Sequence, residues 1–141
     1  MLKVDFYSKL PLNVKLAYVV IVAKYNNQWV LVRHNERTTY EVPGGHIESG
    51  EDVFTAAKRE LYEETGAKDF SLDLVSFYAV NREDQSSGGG LFFSVIKELS
   101  ELPNYEIVEV TLFDFLPDNL TYQQIQPHLF KYVQDWLESK D

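Results

Sequence analysis

The chain has no cysteine, so it can form neither a disulfide nor a thiolate zinc site. Basic residues are scarce: 13 lysines and arginines stand against 22 aspartates and glutamates, a formal charge of −9. Extended contact with duplex nucleic acid needs a basic footprint. None is visible, so duplex DNA or RNA is not expected as a partner. Long apolar runs are missing as well, and no stretch approaches the length of a membrane span. The opening MLKVDFYSKLPLNV, charged at Lys3, Asp5 and Lys9, does not read as a signal peptide. Repeats, low-complexity tracts and linker-like segments are also wanting. What remains is 141 residues, 45% hydrophobic and 25% charged. That composition suits one globular domain, residues 1–141, with an ordinary core. A cytoplasmic location without membrane association is the expectation.

The most informative stretch runs from Gly45 to Ala67, GHIESGEDVFTAAKRELYEETGA. Pro43-Gly44-Gly45 reads as a turn and Gly66 as a left-handed helix stop, which leaves one helix from about Asp52 to Thr65. Asp52 is the expected N-cap; a capping box of Ser49 with Asp52 is the rival reading. Val53, Ala56, Ala57 and Leu61 recur at three- and four-residue steps and form the buried stripe. Glu60, Glu63 and Glu64 stand at i, i+3 and i+4, so their carboxylates share one face. Like charges at such spacings each cost roughly 0.2–0.5 kcal/mol. Glu63 and Glu64 also occupy the last turn, where the helix dipole disfavours anions. A helix tuned only for stability would carry lysines there. A divalent cation removes both penalties, and Mg²⁺ takes a few carboxylates together with substrate phosphates.

Written as spacing, the stretch is Gly45, five residues, Glu51, seven residues, Arg59-Glu60-Leu61, one residue, Glu63-Glu64, one residue, Gly66-Ala67. Nine positions match the Nudix box, and chance would supply them at on the order of 10⁻¹⁰ per starting position. The chain therefore resembles the Nudix hydrolases, in their MutT-like branch. The resemblance implies Mg²⁺- or Mn²⁺-dependent hydrolysis of a phosphoanhydride bond, with a small nucleotide as substrate. It implies Glu63 and Glu64 as metal ligands, Glu60 as ligand or general base, and the Gly45 carbonyl as a further ligand. Arg59 would orient the glutamates, and Glu51 would support the loop and the helix start. The general base in this family can also lie outside the box. The segment YEIVEVTLF offers Glu106 and Glu109, of which Glu106 is preferred. The absence of cysteine argues against the isopentenyl diphosphate isomerases, relatives of this fold with a catalytic cysteine.

Outside the box the chain reads as a mixed sheet. Ala17 to Tyr25 is β-branched and nearly continuously apolar, as in a strand buried on both faces. Asn26-Asn27 signals a hairpin to QWVLVRH. Tyr40-Glu41-Val42, SLDLVSFYAV, LFFSVIKEL and EIVEVTLFDF read as further strands, and Asp84 to Gly90 as the most flexible loop. From about Gln126 to Leu137 an apolar stripe marks a C-terminal helix. The expected fold is α/β: a Nudix-type α/β/α sandwich with a mixed β-sheet between the box helix and the C-terminal helix.

The substrate is approached through three further features. Arg33, His34 and Arg37 form a local basic cluster, in which Arg33 or Arg37 is the preferred phosphate contact and His34 is structural. YEVPGG is similar to the LEFPGG-type segment of MutT-like pyrophosphatases, which act on oxidised purine nucleoside triphosphates such as 8-oxo-dGTP. DFLPDN is similar to a segment where some of those enzymes place a base-reading Asn. By that resemblance Asn119 contacts a purine, with Tyr40, Tyr78 or Phe92 as stacking walls. ADP-ribose, dinucleoside polyphosphates and the 5′-triphosphate end of RNA stay open as substrates. So do a nucleotide-sensing module that cleaves nothing, and a homodimer.

Overall fold

The computed structural model describes residues 1–103 and 106–140. Along the chain run β1 (Lys3–Tyr7), β2 (Leu16–Tyr25), β3 (Gln28–His34) and β4 (Gly44–His46). Then come α1 (Val53–Thr65), β5 (Ala67–Phe70), β6 (Asp73–Arg82), β7 (Gln85–Leu99), β8 (Ile107–Phe113) and α2 (Gln126–Glu138). The strands form one open sheet in the order β1-β6-β7-β2-β3-β8, with β4 on β2 and β5 on β7. β2 and β7 are parallel and the other pairs antiparallel, so the sheet is mixed as expected.

Each face of the sheet buries one helix. Val19, Ile21 and Ala23 of β2 pack with Ala56, Ala57 and Leu61 of α1. Val20 and Val22, pointing the other way, pack with Leu129, Phe130 and Val133 of α2. The two-residue alternation of β2 thus feeds both cores, which explains its nearly unbroken apolar sequence. α1 starts where its capping chemistry dictates: Asp52 accepts a hydrogen bond from the Thr55 N–H at 2.8 Å. It stops at Gly66, whose φ of 76° is left-handed and whose N–H donates to the Tyr62 carbonyl.

The hairpin places the site. Asn26 and Asn27 adopt φ of 50° and 65°, the conformation of a tight primed turn. β2 and β3 pair only at Lys24–Trp29 and Tyr25–Gln28 and then part. The chain from Glu41 to His46 fills the gap, with Glu41 bridging to Val32 and β4 pairing Tyr18 to Val20 of β2. Gln126, at the start of α2, locks this wedge by accepting the Val42 N–H at 2.8 Å.

Several expectations are corrected. Gly44 and Gly45 lie in a strand rather than a turn, because they run hard against β2: a Cβ on Gly44 would meet the Val19 carbonyl oxygen at 2.4 Å. Tyr40 to Val42 makes only single bridges, to Leu120 and Val32. The segment expected as a loop, Asp84 to Gly90, turns only at Glu83-Asp84, and Gln85 onward is β7. Its glycines are there for close packing: a Cβ on Gly88 would lie 2.7 Å from Leu10 and one on Gly89 2.4 Å from the Tyr78 ring. β1 and β5 were not anticipated from the sequence.

Candidate active site

The last two turns of α1 bring Glu60, Glu63 and Glu64 to the wedge between β2 and β3. Glu64 is buried, and its carboxylate accepts the Gly44 N–H at 3.0 Å. Glu60 presses against Gly45 so closely that a Cβ there would sit 1.4 Å from its Oε2; any larger residue moves the carboxylate aside. Burial first, and then the neighbouring Glu64 charge, raise the Glu60 pKa from 4.5 to about 8. Arg59 ties the acidic cluster to the loop. Its Nε and Nη2 donate to the two Glu51 oxygens at 2.7 and 2.8 Å, Nη2 also to the His46 carbonyl, and Nη1 to Glu63 at 3.1 Å. The Arg59 hydrogen bonds, with the Glu48 N–H, hold Glu51 at about 2 and keep it ionised.

The basic cluster is already matched by carboxylates. Arg33 Nε donates to Glu109 at 2.9 Å, and Arg37 donates to the buried Glu41. His34 Nε2 lies 3.4 Å from Glu41 and 3.3 Å from Glu64, and the Glu64 contact is the main reason its pKa is raised. A relay therefore runs from Arg37 through Glu41 and His34 to Glu64. Glu109 is also held by Tyr40 Oη at 3.0 Å and by the Thr111 hydroxyl. These bonds, Thr111 first, bring its pKa down to about 2. Glu106 instead faces the cavity beside the acidic cluster. Tyr105, which opens that segment, lies outside the described residues.

The cavity measures about 630 Å³. One end holds Gly45, Glu60, Glu63 and Glu64; the other runs along the sheet toward α2, where Tyr78, Tyr122 and Gln126 line it. Tyr40 and Asn119 are not in its lining: Tyr40 packs edge-on against Phe113 at 5.1 Å and its N–H donates to the Asn119 carbonyl. Phe92, fully buried, faces α1 and meets Phe54. Arg33 is also outside, whereas Arg37 sits at the rim over the Tyr122 ring at 5.8 Å. Among the described residues no three carboxylate or imidazole groups already close on a common point.

The NUDIX domain family model matches residues 15–114. The chain belongs to the NUDIX domain family. It is 33% identical over 112 residues to the Bacillus subtilis protein named "Putative 8-oxo-dGTP diphosphatase YtkD", covering 79% of this chain and 70% of that one. An RNA pyrophosphohydrolase of Pelagibacter ubique is 40% identical over 55 residues, 38% of this chain and 35% of that one. A crystal structure of a mutant of the Bacillus subtilis pyrophosphohydrolase BsRppH superposes with a TM-score of 0.77 at 26% identity, covering 94% of this chain and 90% of that one. This chain is thus a Nudix hydrolase, an enzyme of phosphorus-containing acid anhydrides, and Nudix hydrolases generally use divalent metal ions. Among the described residues no helix is long and apolar enough to cross a membrane.

Sequence reasoning missed Tyr18, Tyr122 and Gln126 as cavity residues. No motif marks them. Their common position follows from strand register and from where α2 begins, which spacing along the chain does not report.

Proposed function

We propose that this Nudix hydrolase uses Mg²⁺ or Mn²⁺ to cleave a purine nucleoside triphosphate, 8-oxo-dGTP or an unmodified (d)NTP, to the monophosphate and pyrophosphate. The observation that carries this is the crowding of Glu60, Glu63 and Glu64, backed by Gly45, at one end of a nucleotide-sized cavity. The donor set fits a hard cation: oxygen ligands, net negative, with one carboxyl whose pKa is raised to about 8 by burial and then by the Glu64 charge. Glu63, Glu64 and the Gly45 carbonyl would hold the ion, with Glu60 as a further ligand or as the general base. When bound, such an ion neutralises phosphate charge and lowers the pKa of the attacking water.

The protein's own groups do the rest. Arg59 fixes Glu63 and, through Glu51, the loop that ends in Gly45. Glu60 or Glu106 accepts the proton of the water that attacks phosphorus, while the anhydride P–O bond breaks and pyrophosphate leaves with the bond's electrons. Arg37, over the Tyr122 ring in the cavity wall, is the phosphate contact. Residues 1–141 are read as one domain, acting in the cytoplasm as monomer or homodimer, with no duplex nucleic acid as partner.

The same site suits the 5′-triphosphate end of RNA, a reading favoured by the likeness to the Pelagibacter RNA pyrophosphohydrolase. A product-resolved, Mg²⁺-dependent hydrolysis panel separates the two. It spans unmodified and 8-oxo (d)NTPs, ADP-ribose, dinucleoside polyphosphates and triphosphorylated RNA, with Glu64→Gln as control. Turnover of a purine triphosphate, lowered by about two or more decades in the control, is the expected result. Near-wild-type turnover by Glu64→Gln overturns the site assignment; preferential cleavage of another panel member replaces the substrate.

A further inference from the structure

Among the described residues, the Tyr78 hydroxyl in the cavity wall has no hydrogen-bond partner. Tyr78 is 4% exposed, burial raises its pKa well above the ordinary phenol value, and no hydrogen bond reaches its hydroxyl among the described residues. Ser94 Oγ is the one fully enclosed polar side-chain atom left unpaired among the described residues. The Tyr78 hydroxyl is not sealed in that way, and the opening beside it is the cavity that Tyr78 lines. A hydroxyl that opens on the cavity with no protein partner is free to hydrogen-bond a ligand there in place of solvent.

The register says how far that ligand reaches. Tyr78 on β6 pairs with Gly89 on β7, Gly89 with Tyr18 on β2, and Tyr18 with His46 on β4. A Cβ on Gly89 would lie 2.4 Å from Tyr78 Cζ and 2.5 Å from its Oη. The phenol therefore leans across β7, its hydroxyl above Gly89, and any larger residue at 89 would push it off. From there to His46, the neighbour of Gly45, is two inter-strand spacings, roughly 10 Å. Phosphates held at the carboxylate end thus leave the sugar and base lying along this row. At the far end Val20, Val80 and Leu129 offer apolar area for a base, with the polar side chains of Arg82, Ser87, Tyr122 and Gln126 also in the lining.

We propose that the Tyr78 hydroxyl, held across β7 by Gly89, hydrogen-bonds the outer edge of a purine base and sets a preference for purine over pyrimidine nucleotides. The inference rests on the nucleotide hydrolase reading above. A tyrosine hydroxyl both donates and accepts, so it can pair with an exocyclic oxygen, an amino group or a ring nitrogen. A pyrimidine, one ring shorter, leaves it unpaired.

The test uses wild type, Tyr78→Phe and Gly89→Ala. kcat/KM is measured for purine triphosphates, pyrimidine triphosphates and abasic ribose 5′-triphosphate, and Tm is measured without ligand. Tyr78→Phe should lower the ratio of purine to abasic kcat/KM, and that of purine to pyrimidine, each by about tenfold. Its Tm should not fall, because the lost hydroxyl had no partner. Gly89→Ala should lose the same selectivity by displacing the ring. Unchanged ratios in Tyr78→Phe overturn the proposal. So does an equal loss on all three substrates with a lower Tm, which marks a structural tyrosine. If wild type hydrolyses no nucleoside triphosphate, the proposed function fails instead. The inference is then decided by calorimetric binding of purine and pyrimidine triphosphates to the same proteins, where an unchanged ratio overturns it.

Discussion

When the protein is stripped of divalent cations by a chelator and the pH is raised from about 5 to about 8.5, Glu60 has to ionise without compensation. Its folded-state pKa of about 8 against an ordinary 4.5 comes first from burial and then from the Glu64 charge. Below the ordinary value the carboxyl is protonated in both the folded and the unfolded chain, and no penalty exists. Above it the unfolded chain gives up the proton while the folded protein keeps it, so stability falls as pH rises. The fall ends near the folded pKa, where Glu60 ionises in place. Taken at face value that span amounts to about 5 kcal/mol. The carboxylate faces an open cavity whose water screens it, which brings the expected loss to roughly 2 kcal/mol. In a chain of this size that is a fall in Tm of roughly 5–10 °C. Thermal unfolding in chelator across the pH range measures it directly. Glu60→Gln cannot ionise at this position, so its Tm should fall less over the same range. His34, also raised, adds a loss of the same sign in both proteins, and the difference between them isolates Glu60. Mg²⁺ should restore wild type most at high pH and Glu60→Gln least. Parallel pH curves for the two metal-free proteins would refute the reasoning.

Three other outcomes follow from the geometry. Gly45→Ala must drive Glu60 aside, since the new Cβ would fall 1.4 Å from Oε2; turnover should drop by about two decades or more with helix content retained by circular dichroism. Asp52→Ala removes the N-cap bond to Thr55, and Asp52 is not in the cavity lining; Tm should fall by roughly 3–5 °C while kcat/KM stays within about twofold. Glu106→Gln should lower kcat by about 10²-fold if it is the base. Glu109→Gln, which loses bonds from Arg33, Tyr40 and Thr111, should lower Tm and leave kcat largely unchanged; the reverse pattern would exchange their roles.

The legible part of this protein was the part whose chemistry is local in sequence. A helix confines Glu60, Glu63 and Glu64 to one face by spacing alone, so the acidic cluster, its cap at Asp52 and its stop at Gly66 could all be read directly. The nearly continuous apolar sequence of β2 likewise announced a strand buried on both faces. What escaped depends on who stands opposite whom. Arg33 is adjacent to the site in sequence, but β3 pairs it with Glu109, and that partner consumes its charge. Tyr40 lies three residues before the site's Pro43 and is drawn away by the same glutamate.

The run Ser86 to Gly90 shows the limit most sharply, because the residues were read correctly as unusual and wrongly as mobile. Glycine marks either a backbone that must bend or a backbone that must come close, and composition cannot separate the two. Here it is the second. Gly88 and Gly89 pair with strands on both sides, across a register shift in β2 between Leu16 and Tyr18, and what they lack in side chain is space used by Leu10 and Tyr78. Gly89, expected in a flexible loop, is therefore the condition for an aromatic side chain to reach into the cavity. A stretch that lowered the prospects of finding structure turns out to shape the end of the cavity away from Glu60, Glu63 and Glu64.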